Sequence, residues 1–281
     1  MKRIFIALFL FAASAAFASN EISSFTEGKI KEFLTTRIEL RSGTKTSAVS
    51  KIAEVREQTF SALAGEAVDF EQEKLILESF YFMEEYEWLL DPKTNRAELR
   101  KQMRNLMKQI FACIDSRGEA GASKWLYNVG GDVTSYYMTR SIKATLFYGL
   151  RVKEFYEKAI EKDANMTTSN VCLGNWYFYA PKVCGGGRDK AEKCFQKALL
   201  GSSAKGEYYI AYQSLSQLYF EEKRQGLFEK CTSALTNLGI GKKEIALMKK
   251  CNDAGYSFFQ YRRNRAGIDE KLEASEKEEE D

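Results

Sequence analysis

The chain has 281 residues, with 42 Lys and Arg against 39 Asp and Glu, no histidine, two prolines and a hydrophobic share of 44%. The absence of histidine removes every mechanism that needs an imidazole base, an imidazole metal ligand or a Ser-His-Asp triad. The near balance of charge gives no driving field for nucleic acid, so we expect a folded protein that does not bind it.

The first eighteen residues have the pattern of a secretory signal peptide. Lys2 and Arg3 precede an apolar run from residue 4 to about 13, and the small-x-small motif at 16–18 follows it. We expect cleavage after Ala18 and a periplasmic or secreted protein with no lipid-attachment cysteine and no transmembrane segment in the mature chain. The alternative is a single membrane anchor, but the apolar run is short of the roughly 20 residues that a spanning helix needs.

Residues 19–115 are predicted to form an N-terminal region of four helices without strands. Ala, Leu, Glu and Lys, which lose little on entering a helix, are abundant, and this composition favours an all-α fold. The third helix is expected to have Asp69 as its N-cap and to end at Asp91 and Pro92. Apolar residues at helical spacing define the other three helices. They are Ile30, Phe33, Leu34 and Ile38 in the first; Ile52, Val55, Phe60 and Leu63 in the second; and Leu99, Met103, Leu106, Met107, Ile110, Phe111 and Ile114 in the fourth.

Residues 116–260 are predicted to form tetratricopeptide-like repeats, after a small-residue break at 116–123. The repeat has the order Leu-Gly-x-x-Tyr, then Ala-x-x-x-Phe and Ala. This order occurs at Leu173, Gly174, Tyr177, Ala191, Phe195 and Ala198. Similar half-repeats precede and follow it, and a single terminal helix is expected at 242–264. The sequence therefore predicts an α-solenoid of antiparallel helix pairs, which the N-terminal region continues.

Three consecutive glycines, at 185–187, raise the question of a phosphate-binding loop. They lack the spacing of a Walker loop and of a dinucleotide-binding turn, so no cofactor is predicted. Tyr177 and Ala191 stand fourteen residues apart, about five more than in a usual repeat, so we interpret the segment as an insertion between two helices. The alternative is a weak anion site at a helix N-terminus. It would consist of Gly186, Gly187, Arg188 and Lys190.

The six cysteines form no Cys-x-x-Cys pair, so no metal site is predicted. We expect buried free thiols, with a disulfide among Cys172, Cys184 and Cys194 as the alternative. Residues 261–281 begin with three arginines and become strongly acidic after residue 268. We interpret them as a charged, disordered tail.

The central repeat resembles the T-component proteins associated with tripartite ATP-independent periplasmic (TRAP) transporters. The resemblance covers residues 156–219, about a quarter of the chain, and includes a Pro-x-x-x-Gly-Gly turn at Pro181, Gly185 and Gly186. It implies a helical periplasmic accessory protein that forms homo-oligomers and contacts the transporter's solute-binding protein. Members of that family are usually lipoproteins, and the predicted cleavage after Ala18 departs from this.

The leading functional hypothesis is a non-enzymatic scaffold that binds a protein partner, such as a solute-binding protein, in the concave groove of the solenoid. The residues expected at the groove are Tyr137, Asn175, Tyr179, Gln213 and Gln217. The alternative is a periplasmic protein that binds a small ligand in a pocket or pore between helices. An enzyme that works through clustered carboxylates is the third hypothesis, and no convergent set of acidic residues supports it.

Overall fold

The computed structural model describes residues 21–90, 95–139 and 141–280. The predicted signal peptide and Pro92 lie outside these residues. Within them every regular element is a helix, and the all-α prediction is confirmed. No helix in the described part of the chain combines the length and the apolar composition needed to cross a bilayer.

The four predicted N-terminal helices are present. They are α1 (Ser24–Leu40), α2 (Lys45–Glu66), α3 (Phe70–Leu89) and α4 (Arg96–Gly121). Asp69 caps α3 as predicted, since its side chain accepts a hydrogen bond from the backbone N–H of Gln72 at 3.1 Å. The expected break at 116–123 is a kink within α4, where Gly118 has φ +64°.

Three helix pairs follow, each of two consecutive helices in contact. They are α5 (Lys124–Met138) with α6 (Ile142–Lys162), α7 (Thr167–Tyr179) with α8 (Arg188–Gly201), and α9 (Lys205–Glu221) with α10 (Gln225–Asn237). Short connections of this kind give antiparallel neighbours. The first helices of the pairs, together with α3, form an inner row in the order α3, α5, α7, α9, in which each helix contacts the next.

Glycine permits the closest approach within two of these pairs. A Cβ added at Gly174 of α7 would lie 2.4 Å from the Phe195 ring of α8, and one at Gly131 of α5 would lie 2.4 Å from the Tyr156 ring of α6. Ala191 is fully buried beside the first of these contacts. Gly174, Ala191 and Phe195 of the repeat pattern therefore form the close contact between α7 and α8.

Helix α1 does not continue the stack. It contacts both α3 and α9, so it bridges the two ends of the inner row. Ile30, Phe33 and Leu34 are at most 1% exposed. The backbone of α9 approaches α1 so closely that a Cβ at Gly206 would lie 2.6 Å from the Leu34 carbonyl carbon. Helix α1 thus closes the inner row into a ring of helix contacts, which the expectation of a continuous superhelix did not include.

The C-terminal segment is also different from the prediction. The expected single helix at 242–264 is two helices, α11 (Lys242–Asp253) and α12 (Phe258–Arg263), separated by a turn in which Gly255 has φ +84°. The segment interpreted as a disordered tail continues as α13 (Arg265–Glu280). Ile268 and Leu272 of α13 are buried in a cluster shared with α1 and α9, so the first half of this helix belongs to the core.

Candidate functional site

Two of the predicted groove residues are buried contacts within the chain. Gln217 is fully buried, and its side chain exchanges hydrogen bonds with Asn252 of α11 at 3.1 and 3.0 Å. It also accepts a hydrogen bond from the backbone N–H of Phe258 at 2.6 Å. Gln217 therefore fixes the C-terminal helices on α9, and its prediction as an open groove residue is wrong. Gln213 is 4% exposed and lines a cavity described below.

Helix α12 covers the part of the groove near α7. The Tyr179 hydroxyl donates to the backbone carbonyl of Phe259 at 3.1 Å, and the two rings are 6.0 Å apart. Tyr179 is nevertheless 45% exposed. Asn175 is half-buried, and its side-chain oxygen has no hydrogen-bond partner among the described residues.

Tyr137 lies in a different aromatic group. Its ring is 6.0 Å from Tyr148 of α6, and the Arg100 guanidinium lies 4.7 Å from its centroid. Tyr179 and Gln217 are therefore linked only because each forms a hydrogen bond with the backbone of α12. Tyr137 belongs to another surface.

The glycine-rich segment is an enlarged turn between α7 and α8, as predicted. The backbone N–H groups of Gly186 and Gly187, proposed to hold an anion, donate instead to Pro181 at 3.2 Å and Tyr177 at 2.9 Å. The two predicted cations are also engaged. Lys190 Nζ donates to the Gly185 carbonyl at 2.9 Å. Arg188 donates to Glu221 at 2.6 Å. Each of these four groups therefore has a contact within the chain, and the structure gives the anion site no support.

All six cysteines are free thiols, so the alternative of a disulfide among Cys172, Cys184 and Cys194 is wrong. Only Cys231 and Cys251 are buried, while Cys184 is exposed and the other three are half-buried. Cys172 lies near Asp132 and Tyr156, and burial and the neighbouring Asp132 raise its thiol pKa well above the ordinary value. A thiol held in the protonated form is a poor nucleophile.

Asp132 is the acceptor at the centre of this polar cluster. It accepts hydrogen bonds from Tyr156 and Asn128, both at 2.8 Å. Burial raises the pKa of its carboxyl, although these bonds and the charge of Arg37 on α1 oppose the shift. The cluster is a satisfied interior network that joins α5 to α6.

A cavity of about 540 Å³ lies where the C-terminal end of α1 meets the inner row and the C-terminal helices. Its volume is within the range typical of small-molecule sites. The residues that line it come from seven helices and the residue that caps α1. They are Arg37, Ile38, Arg41, Glu87, Trp88, Tyr136, Tyr209, Ile210, Gln213, Lys243, Glu244, Leu247, Phe258, Tyr261, Arg262 and Arg265.

The cavity wall is rich in positive charge. Five cationic side chains line it, against the two acidic ones Glu87 and Glu244. Glu84, only 2% exposed, lies behind the wall and is 3.0 Å from Arg41 and 3.6 Å from Arg37. Burial alone would lower the pKa of Arg41, but attraction to Glu84 and Glu244 outweighs it and raises the pKa. The guanidinium of Arg41 therefore stays charged, and the cations exceed the acids even with Glu84 counted.

One hydrogen-bond donor in the cavity wall has no acceptor. The amide nitrogen of Gln213 is buried and has no hydrogen-bond partner in the described part of the chain. The oxygen of the same amide accepts from Arg262 at 2.6 Å, which fixes its orientation. A buried donor without a partner costs free energy. A bound oxygen acceptor would satisfy it.

The remaining wall is aromatic and aliphatic. The cavity also has apolar surface, which is contributed by Trp88, Tyr136, Phe258 and Leu247. The Trp88 indole N–H donates to Glu84 at 3.0 Å, so this ring is held in place by the carboxylate that also pairs Arg41. An amphipathic anion matches this combination of surfaces.

The sequence reasoning missed this site, although parts of the signal were visible. Arg37 and Arg41 are four residues apart, which places them on the same face of a helix end. The sequence pattern places Arg262 and Arg265 in the charged C-terminal segment. Nothing in the local pattern indicates that the two arginine pairs meet across more than 200 residues.

The described residues contain no group of three or more cysteine, aspartate or glutamate side chains arranged to hold a metal ion. Comparison of the chain with protein-family models, with curated proteins and with solved structures gave no match. The assignment of a function therefore depends on the geometry of the cavity.

Proposed function

We propose that the protein binds a small organic anion in the cavity between α1, α9 and the C-terminal helices. The observation that carries the proposal is the buried, unpartnered amide nitrogen of Gln213, in a cavity that Arg262 and Arg41 also line. This is the small-ligand alternative of the sequence analysis, with a chemical class assigned to the ligand. The periplasm remains the proposed location because of the N-terminal sequence pattern.

The arginines are suited to a carboxylate. Each guanidinium presents several N–H donors in a planar fork that matches two carboxylate oxygens. Arg262 uses one nitrogen for Gln213 at 2.6 Å and approaches Glu244 at 3.3 Å. These contacts hold the Arg262 head at the cavity wall. A ligand carboxylate would then accept from Arg262 and from the free Gln213 N–H.

The apolar wall selects for a carbon skeleton attached to that carboxylate. Trp88 and Tyr136 can cover aliphatic or aromatic carbon, which an inorganic anion does not offer. Burial raises the pKa of Tyr136 above its usual range, so its hydroxyl stays neutral beside the anion. We therefore expect organic acids to bind better than phosphate or sulfate.

A thermal-shift screen tests the proposal. The panel contains mono- and dicarboxylates of about four to ten carbons, each with its primary amide as the uncharged control, and inorganic phosphate. A ligand at about 100 times its Kd stabilises the folded state by roughly 2.7 kcal/mol. For a chain of this size that is a rise in Tm of about 5 °C.

The primary amides test whether binding requires the negative charge of the acid. At least one acid should raise Tm while its amide does not, because the amide lacks the charge that the arginines attract. Equal shifts for acids and amides, or no shift for any acid at millimolar concentration, would contradict an anion-binding cavity.

A scaffold for a protein partner is the second candidate function, and a TRAP solute-binding protein remains the partner proposed from the resemblance. It is favoured by the exposed part of the predicted groove. Tyr179 is 45% exposed and Val183, in the turn that follows, is 93% exposed. The scaffold hypothesis is therefore restricted to this edge of α7, since α12 covers the rest.

A further inference from the structure

The first turns of α6 carry a group of exposed apolar side chains that the ligand-binding proposal does not use. Ile142, Leu146, Phe147 and Leu150 are 82%, 83%, 79% and 70% exposed. Their spacing places them along one side of the helix over about 12 Å. We call these four residues the apolar stripe. Contiguous exposed apolar side chains of this kind mark interaction sites.

The stripe is exposed because α6 is longer than its partner. Helix α5 ends at Met138, whereas α6 begins at Ile142 and runs to Lys162. Further along α6, Val152, Phe155 and Ala159 are buried in the core. The stripe precedes this part of the helix, and no described residue covers it.

An aromatic group lies beneath the stripe. The Phe147 ring is 5.7 Å from Tyr148, which is 6.0 Å from Tyr137 and 6.5 Å from Phe111 of α4. Half-buried tyrosines with an apolar ring and a polar hydroxyl are typical of the boundary between lipid and water.

Arginines cover the outer faces of these rings. The Arg151 guanidinium is 4.0 Å from the Phe111 centroid. The Arg100 guanidinium is 4.7 Å from the Tyr137 centroid. Positive charge therefore stands directly beside the stripe, on α6 and on α4.

Helix α4 extends the positive charge away from the stripe. Residues 96–108 contain five cations and one acid, and residues 141–151 contain Lys143 and Arg151 with no acid. Arg104 and Lys108 are exposed and lie four and eight residues after Arg100, on the side of α4 that Phe111 shares. The apolar stripe is thus bordered by a basic face.

We propose that this surface docks on a lipid bilayer that carries anionic phospholipids. Ile142, Leu146, Phe147 and Leu150 enter the boundary between headgroups and acyl chains, and the basic residues of α4 contact the phosphates. The strength of peripheral membrane binding rises with buried apolar area and with attraction between cations and anionic lipids. The assignment rests on the stripe and its charge, and it is independent of the cavity.

Charge complementarity favours a bilayer over a second copy of the chain. Two copies paired through the stripe about a two-fold axis would bring their basic α4 faces toward each other. Like charges placed across an interface oppose association.

Vesicle co-flotation at low salt tests the proposal. The full chain is mixed with vesicles of phosphatidylcholine alone, or of phosphatidylcholine and phosphatidylglycerol at a ratio of about seven to three. We expect flotation with the anionic vesicles and at least about tenfold weaker binding to the neutral ones, with binding reduced by added salt.

Three variants separate the contributions of the surface. Leu146→Ser with Phe147→Ser removes apolar insertion and should weaken binding to anionic vesicles at least about tenfold. Arg104→Glu with Lys108→Glu should weaken it similarly and reduce its salt dependence, because the other cations of the surface remain. Leu200→Ser is the matched control, because Leu200 is 82% exposed on α8 and distant in sequence from the stripe. Thermal melts check that all three variants fold like the wild type.

The proposal is overturned if the wild type floats with neither vesicle, or if the Leu146→Ser, Phe147→Ser variant binds as tightly as the Leu200→Ser control. It is also overturned if sedimentation without lipid shows an oligomer that only the stripe variant dissociates. That last result would assign the stripe to a second copy of the chain.

Discussion

Glu73 shows how one buried carboxylate can hold three segments together. It is fully buried and accepts hydrogen bonds from Ser23 and Thr26 at the start of α1 and from the backbone N–H groups of Val68 and Asp69 before α3. Burial would raise its pKa, but the hydrogen bonds together outweigh burial and lower the pKa. The charged form therefore stabilises the fold.

We predict that Glu73→Ala lowers the free energy of unfolding by about 3 kcal/mol at pH 7, because several buried donors lose their acceptor. The lowered pKa gives this contribution a defined pH dependence. It is fully present above the ordinary pKa of 4.5 and is lost as the pH falls through the lower pKa of the folded state. Urea unfolding at pH 7 and at progressively lower pH measures both effects.

Glu71→Ala is the control for this prediction, since Glu71 lies on the same turn of α3 but is exposed. It should cost less than about 1 kcal/mol. Equal losses for the two variants, or a difference between them that does not shrink in acid, would show that Glu73 is not the acceptor described.

Residue type alone did not distinguish a buried contact from a binding residue. Gln217 was predicted to face the groove because polar residues on the first helix of a repeat usually do. Both the nitrogen and the oxygen of its side-chain amide instead form hydrogen bonds with the side chain of Asn252, a residue 35 positions later in the sequence. That pairing depends on where α11 docks, which the repeat pattern does not determine.

At the scale of helices, the close approach of α7 and α8 depends on Gly174. We predict that Gly174→Ala destabilises the protein by about 1–3 kcal/mol, because its Cβ would lie 2.4 Å from the Phe195 ring and must displace it. Gly28→Ala in α1 is the matched control, since no atom lies within 4 Å of its added Cβ. It should stabilise the protein by about 0.5–1 kcal/mol through helix propensity.

Chemical denaturation of the two variants gives the comparison. Opposite signs are expected, because helix propensity favours alanine at both sites and only packing differs. A stabilising Gly174→Ala would mean that the two helices are further apart than the structure has them.

The helices of the repeats were predictable because each has its own apolar period and its own turn. The C-terminal helices were predicted less well. Gly255 ends α11 and Ser257 is the N-cap of α12. Apolar residues at helical spacing occur on both sides of this turn, so the segment was predicted as one helix. Ile268 and Leu272 are four residues apart, a helical spacing that the surrounding acidic residues outweighed in the interpretation as a tail.

At the scale of the whole molecule, the feature that forms the cavity is the packing of α1 against α9. The hydrogen bond from the Gly206 N–H to Thr35 spans 171 residues, and Lys243 reaches the Ser42 carbonyl over 201 residues. The apolar face of α1 could pack either at the end of the helix stack or against α9, where it closes the inner row. The sequence alone therefore does not distinguish the two arrangements. Closure brings Arg37 and Arg41 to Arg262, and this creates the cavity.

The most direct measurement of the central claim is isothermal titration of the best organic acid from the screen into the wild type and into Arg262→Met. The account predicts at least about tenfold weaker binding for the variant, because a charge-assisted hydrogen bond contributes roughly 1.5–3 kcal/mol. Arg104→Met, exposed on α4 and outside the cavity, should bind like the wild type. Unchanged affinity in Arg262→Met would contradict the cavity as the binding site.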